Sequence, residues 1–209
     1  MTDTKTLEQV GGKRGYLLPY HKMLAAYDGE LLAKYDAFYT RLTLTQKTLT
    51  DREKEFVWVT LLVAVREGHG TLHLRRADAA GLPRAHMHIA INLAGIAESR
   101  PATAFAKQYW TDWAPDAAMD EIYFANIAAA RGDVPEALVE LALATAHASK
   151  RDAASLQMHI KRFFAAGGKP AALVEALAFL LLPCGGPTLI DAVDAWAEAA
   201  ADGKIPSPF

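Results

Sequence analysis

The sequence predicts an all-α protein, and three observations support this fold class. Apolar residues make up 52% of the 209-residue chain, and the most common of them, Ala and Leu, lose little conformational freedom in a helix. In several segments the apolar residues recur three or four positions apart, as they do on one face of a helix. No segment shows the alternation of apolar and polar residues that is typical of a strand. We therefore predict a helical bundle.

The first half of the chain is predicted to contain a polar arm and four helices. Residues 1–15 are polar and contain glycine, which indicates a loose arm. Thr50 or Asp51 suits the N-cap of a helix, and Glu53 and Glu55 suit its first turn. Glycines at positions 68 and 70 interrupt the helical pattern, and Gly81 suits the end of the next helix. We predict helices at residues 29–44, 51–66, 71–80 and 83–97.

The second half repeats this plan after a bridge. Residues 99–116 contain two prolines and are predicted to be a connection with some helix of its own. The tail from Ile205 to Phe209 contains two further prolines and cannot be helical throughout. We predict helices at residues 117–131, 135–149, 152–166, 170–182 and 187–201.

An internal repeat is the most specific pattern in the sequence. The nine residues from His73 to Gly81, HLRRADAAG, align without a gap on HIKRFFAAG from His159 to Gly167. Five of the nine residues are identical in the two segments. Ala-rich helices resemble each other by chance, but matched His, Arg and Gly positions favour duplication of one helical unit.

Composition and charge exclude several classes of function. The net charge is −2, and no basic stripe suggests a nucleic-acid partner. The apolar runs at 56–65 and 176–182 are far shorter than the roughly 20 residues of a membrane span. Cys184 is the single cysteine, so no intrachain disulfide forms, and the N-terminal residues contain no apolar signal region. We expect a soluble cytoplasmic protein with no membrane partner.

Glu67, His69 and His73 form the first candidate site, around the glycine-rich break between two helices. If Thr71 begins a helix, His73 lies in its first turn, where free N–H groups favour a carboxylate or a developing oxyanion. Arg76 would share this face and hold a substrate carboxylate. The alternatives are a packing role for His73, or a metal site using His69 and His73, which are four residues apart. We expect no metal.

The second repeat offers a second set of candidate residues. Asp152 suits an N-cap, and this is the simplest role for it. Glu140 lies in an apolar helix, where it would pair with His159 or face water. Because the first repeat has more titratable groups and open glycines, we expect His73 rather than His159 to carry an essential proton transfer.

The motifs around both histidines resemble the carboxymuconolactone decarboxylase and alkyl hydroperoxidase D family. The resemblance is carried by LTDREKEFVWVTLLVAVREGHGTLHLRRADAAG and by VELALATAHASKRDAASLQMHIKRFFAAGGKPAALVEALAFLLLPCGGP. Together these regions cover roughly residues 53–98 and 136–200. The resemblance implies two tandem alkyl hydroperoxidase D-like units in one compact domain: an arm at 1–15, a first unit at 16–100, a bridge at 101–134 and a second unit at 135–209.

The sequence departs from the peroxidase branch of that family at the redox cysteines. The resemblance places a Cys-x-x-Cys pair at positions that hold Arg66 and His69 in the first unit, and Asp152 and Ser155 in the second. Without these thiols the disulfide chemistry has no mechanism. A family glutamate that precedes the cysteines matches Glu140, whereas Lys54 occupies its place in the first unit.

The resemblance therefore implies a lyase or decarboxylase that acts without a cofactor. We expect acid–base catalysis by His73, His69 and Glu67 on a small, aromatic-derived carboxylic acid or lactone, as in aromatic compound catabolism. Arg76, Tyr39 and Trp58 are candidate substrate-binding residues, although core packing also suits the two aromatic side chains. The alternatives are a non-catalytic ligand-binding or scaffold protein and a metal-dependent enzyme. The apolar faces of both halves predict a homo-oligomer, a trimer or a dimer.

Overall fold

Helices account for the regular secondary structure of the protein, as the sequence predicts. The computed structural model describes residues 3–209, apart from the side chains of Asp116 and Ala117, and this part of the chain contains no strand. Contacts divide the chain into two compact units, Met1–Gln46 and Lys47–Phe209.

The N-terminal unit contains three α-helices and a π-helical turn. These are α1 (Thr4–Arg14), α2 (Pro19–Tyr27), α3 (Gly29–Tyr39) and the turn Thr40–Leu44. Helix α1 corrects the expectation of a loose arm, of which residues 1 and 2 lie outside the described part. The Asp3 carboxylate caps α1 by accepting from the Thr6 N–H, and Val10 packs with Ala25 and Leu32. This packing stabilises a helix that its polar sequence alone does not predict.

The larger unit contains the helices that surround the candidate sites. They are α4 (Asp51–Ala64), α5 (Thr71–Ala79), α6 (Arg84–Glu98), α7 (Arg100–Tyr109), α8 (Asp116–Ala130), α9 (Glu136–Ser149), α10 (Ala153–Ala165), α11 (Pro170–Ala178) and α12 (Gly186–Ala199). Most of their bounds lie within a few residues of the prediction. Among the described residues, no helix combines the length and apolar character that crossing a bilayer requires.

Helices α4 and α9 form the centre of this unit. They pack against each other, and α9 also contacts α6, α10, α11 and α12. Every residue from Val139 to Ala148 is buried, which explains why most of this stretch is apolar. Thr50, one of the two N-cap residues that the sequence analysis named, caps α4 and also forms a capping box with Glu53. Polar side chains on α4 and α9 therefore need partners from the helices around them.

Candidate functional site

The first repeat contains a buried carboxylate–histidine pair. Helix α5 carries His73 and α4 carries Glu55, and His73 Nδ1 lies 2.7 Å from Glu55 Oε2. Trp58 stacks on the His73 ring with the ring centroids 4.5 Å apart. Phe179 stacks on the other side of Trp58 at 4.6 Å. The buried Trp58 therefore has the packing role that the sequence analysis gave as its alternative.

The sequence analysis expected Glu67 and His69 to lie together with His73, but the structure does not bring them together. Both are exposed: His69 lies in the short 3-10 turn Gly68–Gly70, and Glu67 precedes this turn and caps it. The Glu67 carboxylate accepts from the His69 backbone N–H at 2.8 Å. The carboxylate that contacts His73 is Glu55, which the sequence analysis had assigned only to the first helical turn. Glu55 directly follows Lys54, so a shift of one residue in the repeat would have found it.

The other predicted residues of the first site are dispersed. Arg76 is half-buried on α5. Tyr39 belongs to the N-terminal unit, where its hydroxyl lies 3.2 Å from that of Tyr16 and the Arg14 guanidinium lies 4.0 Å from its ring centroid. Among residues 3–209, no group of three or more His, Cys, Asp or Glu side chains has the arrangement of a metal site.

The second repeat contains a matching pair with an additional cation. His159 Nδ1 on α10 lies 2.6 Å from Glu140 Oε2 on α9, so Glu140 pairs with His159 rather than facing water. Arg162 Nε donates to the other carboxylate oxygen at 2.7 Å. Neither His159 nor Glu140 is exposed by more than 1%. The guanidinium offsets the cost of burying the carboxylate and stabilises its charged form.

The two repeats also match in backbone geometry next to these pairs. Arg66 after α4 and Arg151 after α9 both have positive φ angles, of 58° and 57°. Each is followed by an acidic residue whose side chain caps the next turn: Glu67 accepts from the His69 N–H and Asp152 from the Ser155 N–H. The N-cap role expected of Asp152 is therefore confirmed. The arginines and the acidic residues recur at an offset of 85 residues, one fewer than the 86 that separate His73 and His159.

A longer series of hydrogen bonds distinguishes the second repeat from the first. The Tyr123 hydroxyl on α8 lies 3.0 Å from His159 Nε2 and 3.0 Å from His147 Nε2. On its other side, His147 Nδ1 lies 3.1 Å from Asp152 Oδ2. The series therefore runs from Glu140 through His159, Tyr123 and His147 to Asp152. The sequence analysis missed His147 and Tyr123, although a histidine inside the apolar helix α9 itself indicates a buried polar partner.

A pocket of about 550 Å³ opens at the Asp152 end of this series. Helix α7 contributes one wall, and His147, Asp152 and Ser155 contribute another. The lining includes three cationic side chains, Arg100 and Lys107 from α7 and Lys150 from the end of α9. The start of α10 lies here as well, so its free N–H groups add a partial positive charge. Such a pocket suits a small anionic molecule.

Each cation of the pocket already has an anionic neighbour that holds it in place. Arg100 and Lys107 both contact Asp120, at 2.9 and 3.4 Å. Lys150 contacts Glu98 and donates to the Ala64 carbonyl at 2.9 Å. The Arg100 guanidinium also lies 4.5 Å from the Tyr123 ring centroid. These contacts fix the cations around the pocket without removing their charge from its wall.

Burial and hydrogen bonding shift the pKa values of three groups in the series. Burial lowers the pKa of His159 to about 4, against the opposing effect of Glu140. Burial raises the pKa of the Tyr123 hydroxyl. Burial acts to raise the pKa of Asp152 as well, but hydrogen bonds from His147 and Ser155 hold it well below its usual range. His159 is therefore neutral and Asp152 ionised near pH 7.

Fold and site together define an all-α protein with carboxylate–histidine pairs buried between neighbouring helices. Residues 116–198 match the model of the carboxymuconolactone decarboxylase family, so this region of the chain is similar to that family. The matched range contains Glu140, His159, Tyr123, His147 and Asp152, whereas the first repeat lies outside it. Comparisons with curated proteins and with solved structures gave no significant match.

Proposed function

We propose that the protein is a cofactor-independent lyase that decarboxylates a small carboxylic acid in the pocket between α7, α9 and α10. One observation carries this proposal: a pocket lined by three cations also presents His147 and Asp152, which end a hydrogen-bonded series reaching the buried Glu140. Cations bind a carboxylate, and a carboxylate–histidine pair moves a proton. The match of residues 116–198 to the carboxymuconolactone decarboxylase family model agrees with this class of reaction.

The pocket residues have two roles in this proposal: the cations bind the substrate anion, and a histidine–carboxylate pair supplies a proton. Arg100 and Lys107 hold the substrate anion, and Lys150 with the N-terminus of α10 stabilises the negative charge that develops on a conjugated carbonyl. The bond to the carboxyl carbon breaks, CO₂ leaves, and its electron pair moves into the conjugated carbonyl as a dienolate. The pair formed by His147 and Asp152 then delivers a proton to carbon. This assignment places the chemistry in the second repeat, whereas the sequence analysis favoured His73.

Turnover of a substrate panel tests the proposal. The panel contains unsaturated lactone acids and other small carboxylic acids, including aromatic-derived ones, and release of CO₂ is measured. His147→Gln should lower kcat, and Lys107→Met should mainly raise KM. Lys34→Met is the matched control, since Lys34 is an exposed lysine of the N-terminal unit paired with Glu30.

The second candidate function is ligand binding without catalysis. The polar pocket supports it equally well if the hydrogen-bonded series serves stability alone. In that case a panel acid should raise the melting temperature while no product forms. Loss of this thermal shift in Lys107→Met, but not in Lys34→Met, would place the ligand in the same pocket and favour the binding function over the lyase.

A further inference from the structure

The series from Glu140 to Asp152 contains four hydrogen bonds, and each requires one proton. Their lengths are 2.6 Å between Glu140 and His159, 3.0 Å on each side of the Tyr123 hydroxyl, and 3.1 Å between His147 and Asp152. All four lie within the range of true hydrogen bonds. None of the three central side chains is exposed by more than 1%, so a lone pair facing another lone pair would be costly there.

The groups in their ordinary states supply only three protons. A carboxylate brings none, a neutral imidazole brings one, and a phenol brings one. Arg162 donates to Glu140 and the Ser155 N–H donates to Asp152, and both contacts favour ionised carboxylates. His159 donates its Nδ1–H to Glu140, and His147 donates its Nδ1–H to Asp152. Both Nε2 atoms are then unprotonated, and the Tyr123 hydroxyl has one proton to donate. One of the two bonds to Tyr123 then lacks a proton.

We propose that the resting protein holds a fourth proton in this series, carried by His147 as an imidazolium ion, and that Tyr123 is the positioning residue that maintains it. His147 donates through Nε2 to the Tyr123 oxygen, and the Tyr123 hydroxyl donates to His159 Nε2. Every bond of the series is then complete. The count of protons depends only on the geometry, whereas the use of the fourth proton rests on the proposed function.

The surroundings of the two rings favour His147 over His159 as the carrier of the fourth proton. The His159 ring is fully buried and burial lowers its pKa to about 4, whereas His147 borders the pocket and lies against ionised Asp152. Glu98, Glu140, Asp152 and Arg162 are charged groups that act on the two rings directly. Arg100 contacts Tyr123, Asp120 pairs with Arg100, and Lys150 pairs with Glu98. Asp152 is hydrogen-bonded to His147 and offers it a compensating negative charge, whereas Glu140 is already shared between His159 and Arg162.

The arrangement gives the pocket an acid that is charged before substrate arrives. When the Nδ1 proton of His147 passes by way of Asp152 to a carbanion, His147 keeps its Nε2 proton and the bond to Tyr123 stays complete. The vacancy then lies between His147 and Asp152, at the pocket, where water supplies the next proton. Tyr123 thus confines the hydrogen bond that lacks a proton to the end of the series that substrate can reach.

Nitrogen-15 NMR of the histidine side chains tests the proposal without any substrate. Uniformly labelled wild-type protein at pH 7.0–8.0 should show one buried imidazolium ring with both nitrogens protonated, and this resonance should disappear in His147→Gln. In Tyr123→Phe the imidazolium should be lost in the same pH range, because neither Nε2 atom retains a partner. The control is Tyr109→Phe, which removes an exposed hydroxyl from α7 and should leave the resonance unchanged.

Two results would overturn the proposal: two neutral rings in the wild-type protein at pH 7.0, or an imidazolium that persists in folded Tyr123→Phe protein. If His147→Gln does not fold, the comparison of Tyr123→Phe with Tyr109→Phe still decides. Where turnover is found, Tyr123→Phe should shift the kcat profile to lower pH and change KM little. An inactive wild-type protein that shows the imidazolium would reject the proposed reaction while leaving the fourth proton established.

Discussion

His147 and His159 lie ring on ring, with their centroids 5.1 Å apart and their planes inclined by 14°. Helices α9 and α10 bring the two rings together from either side of the turn that contains Arg151. Because the two imidazole rings stack face to face, their nitrogen atoms lie at the open ring edges. Both Nε2 atoms there contact the same Tyr123 hydroxyl. A charge on one ring therefore opposes a charge on the other, as expected for coupled titrating groups.

The first prediction is that acid destabilises the protein through His159. Its pKa is lowered from 6.5 to about 4 in the folded chain, so between these values the unfolded state binds more protons than the native state. The free energy of unfolding should be highest above pH 6.5 and fall as the pH is lowered to about 4. Urea unfolding at a series of pH values measures this dependence.

His21 also makes the free energy of unfolding fall as the pH is lowered, so replacing His159 alone removes only part of this pH dependence. Burial and the neighbouring Arg14 lower its pKa to about 4 as well. His159→Gln should therefore flatten the pH dependence only in part, while His88→Gln, which replaces an exposed histidine, should preserve it. Equal slopes in wild-type protein and His159→Gln would contradict the prediction.

The second prediction is that the protein has no thiol peroxidase activity. Arg66, His69, Asp152 and Ser155 occupy the positions that the family resemblance gives to redox cysteines, and burial raises the pKa of the Cys184 thiol. A raised pKa leaves little nucleophilic thiolate at neutral pH. Reduction of an organic hydroperoxide with a dithiol donor should not exceed the rate without enzyme. Activity that is lost in Cys184→Ser would refute this expectation.

The third prediction is a homo-oligomer, a trimer or a dimer. Large apolar side chains remain exposed on the larger unit, among them Phe105, Tyr109, Trp110 and Trp113. Contiguous apolar surface of this kind commonly marks an interface between chains. Light scattering coupled to size-exclusion chromatography at micromolar concentration should give two or three times the 22.7 kDa chain mass. A monomer under these conditions would count decisively against it.

Local signals in the sequence were enough to locate the helix ends around the site. The Thr50 capping box and the glycines at 81 and 167 depend on residues close in sequence, and the latter two have the positive φ angles, 73° and 84°, that glycine tolerates best. The side-chain partners were harder to predict because they come from different helices. Glu55 lies next to the expected Lys54, and Tyr123 lies on α8 whereas its two histidines lie on α9 and α10. Only packing reveals such pairs.

The last prediction concerns which repeat carries proton transfer. The sequence analysis expected His73 to carry the essential proton transfer, and loss of a general acid or base usually lowers kcat by roughly a hundredfold or more. In the structure His73 is buried against Glu55 and Trp58, whereas His147 and Asp152 border a polar pocket. We therefore expect His147→Gln and Asp152→Asn to lower kcat by about a hundredfold or more, while His73→Gln keeps kcat per folded molecule and lowers the melting temperature. Circular dichroism and urea unfolding, which do not depend on turnover, establish how much of each variant is folded. A well-folded His73→Gln that is inactive, beside a His147→Gln that retains full activity, would return the active site to the first repeat.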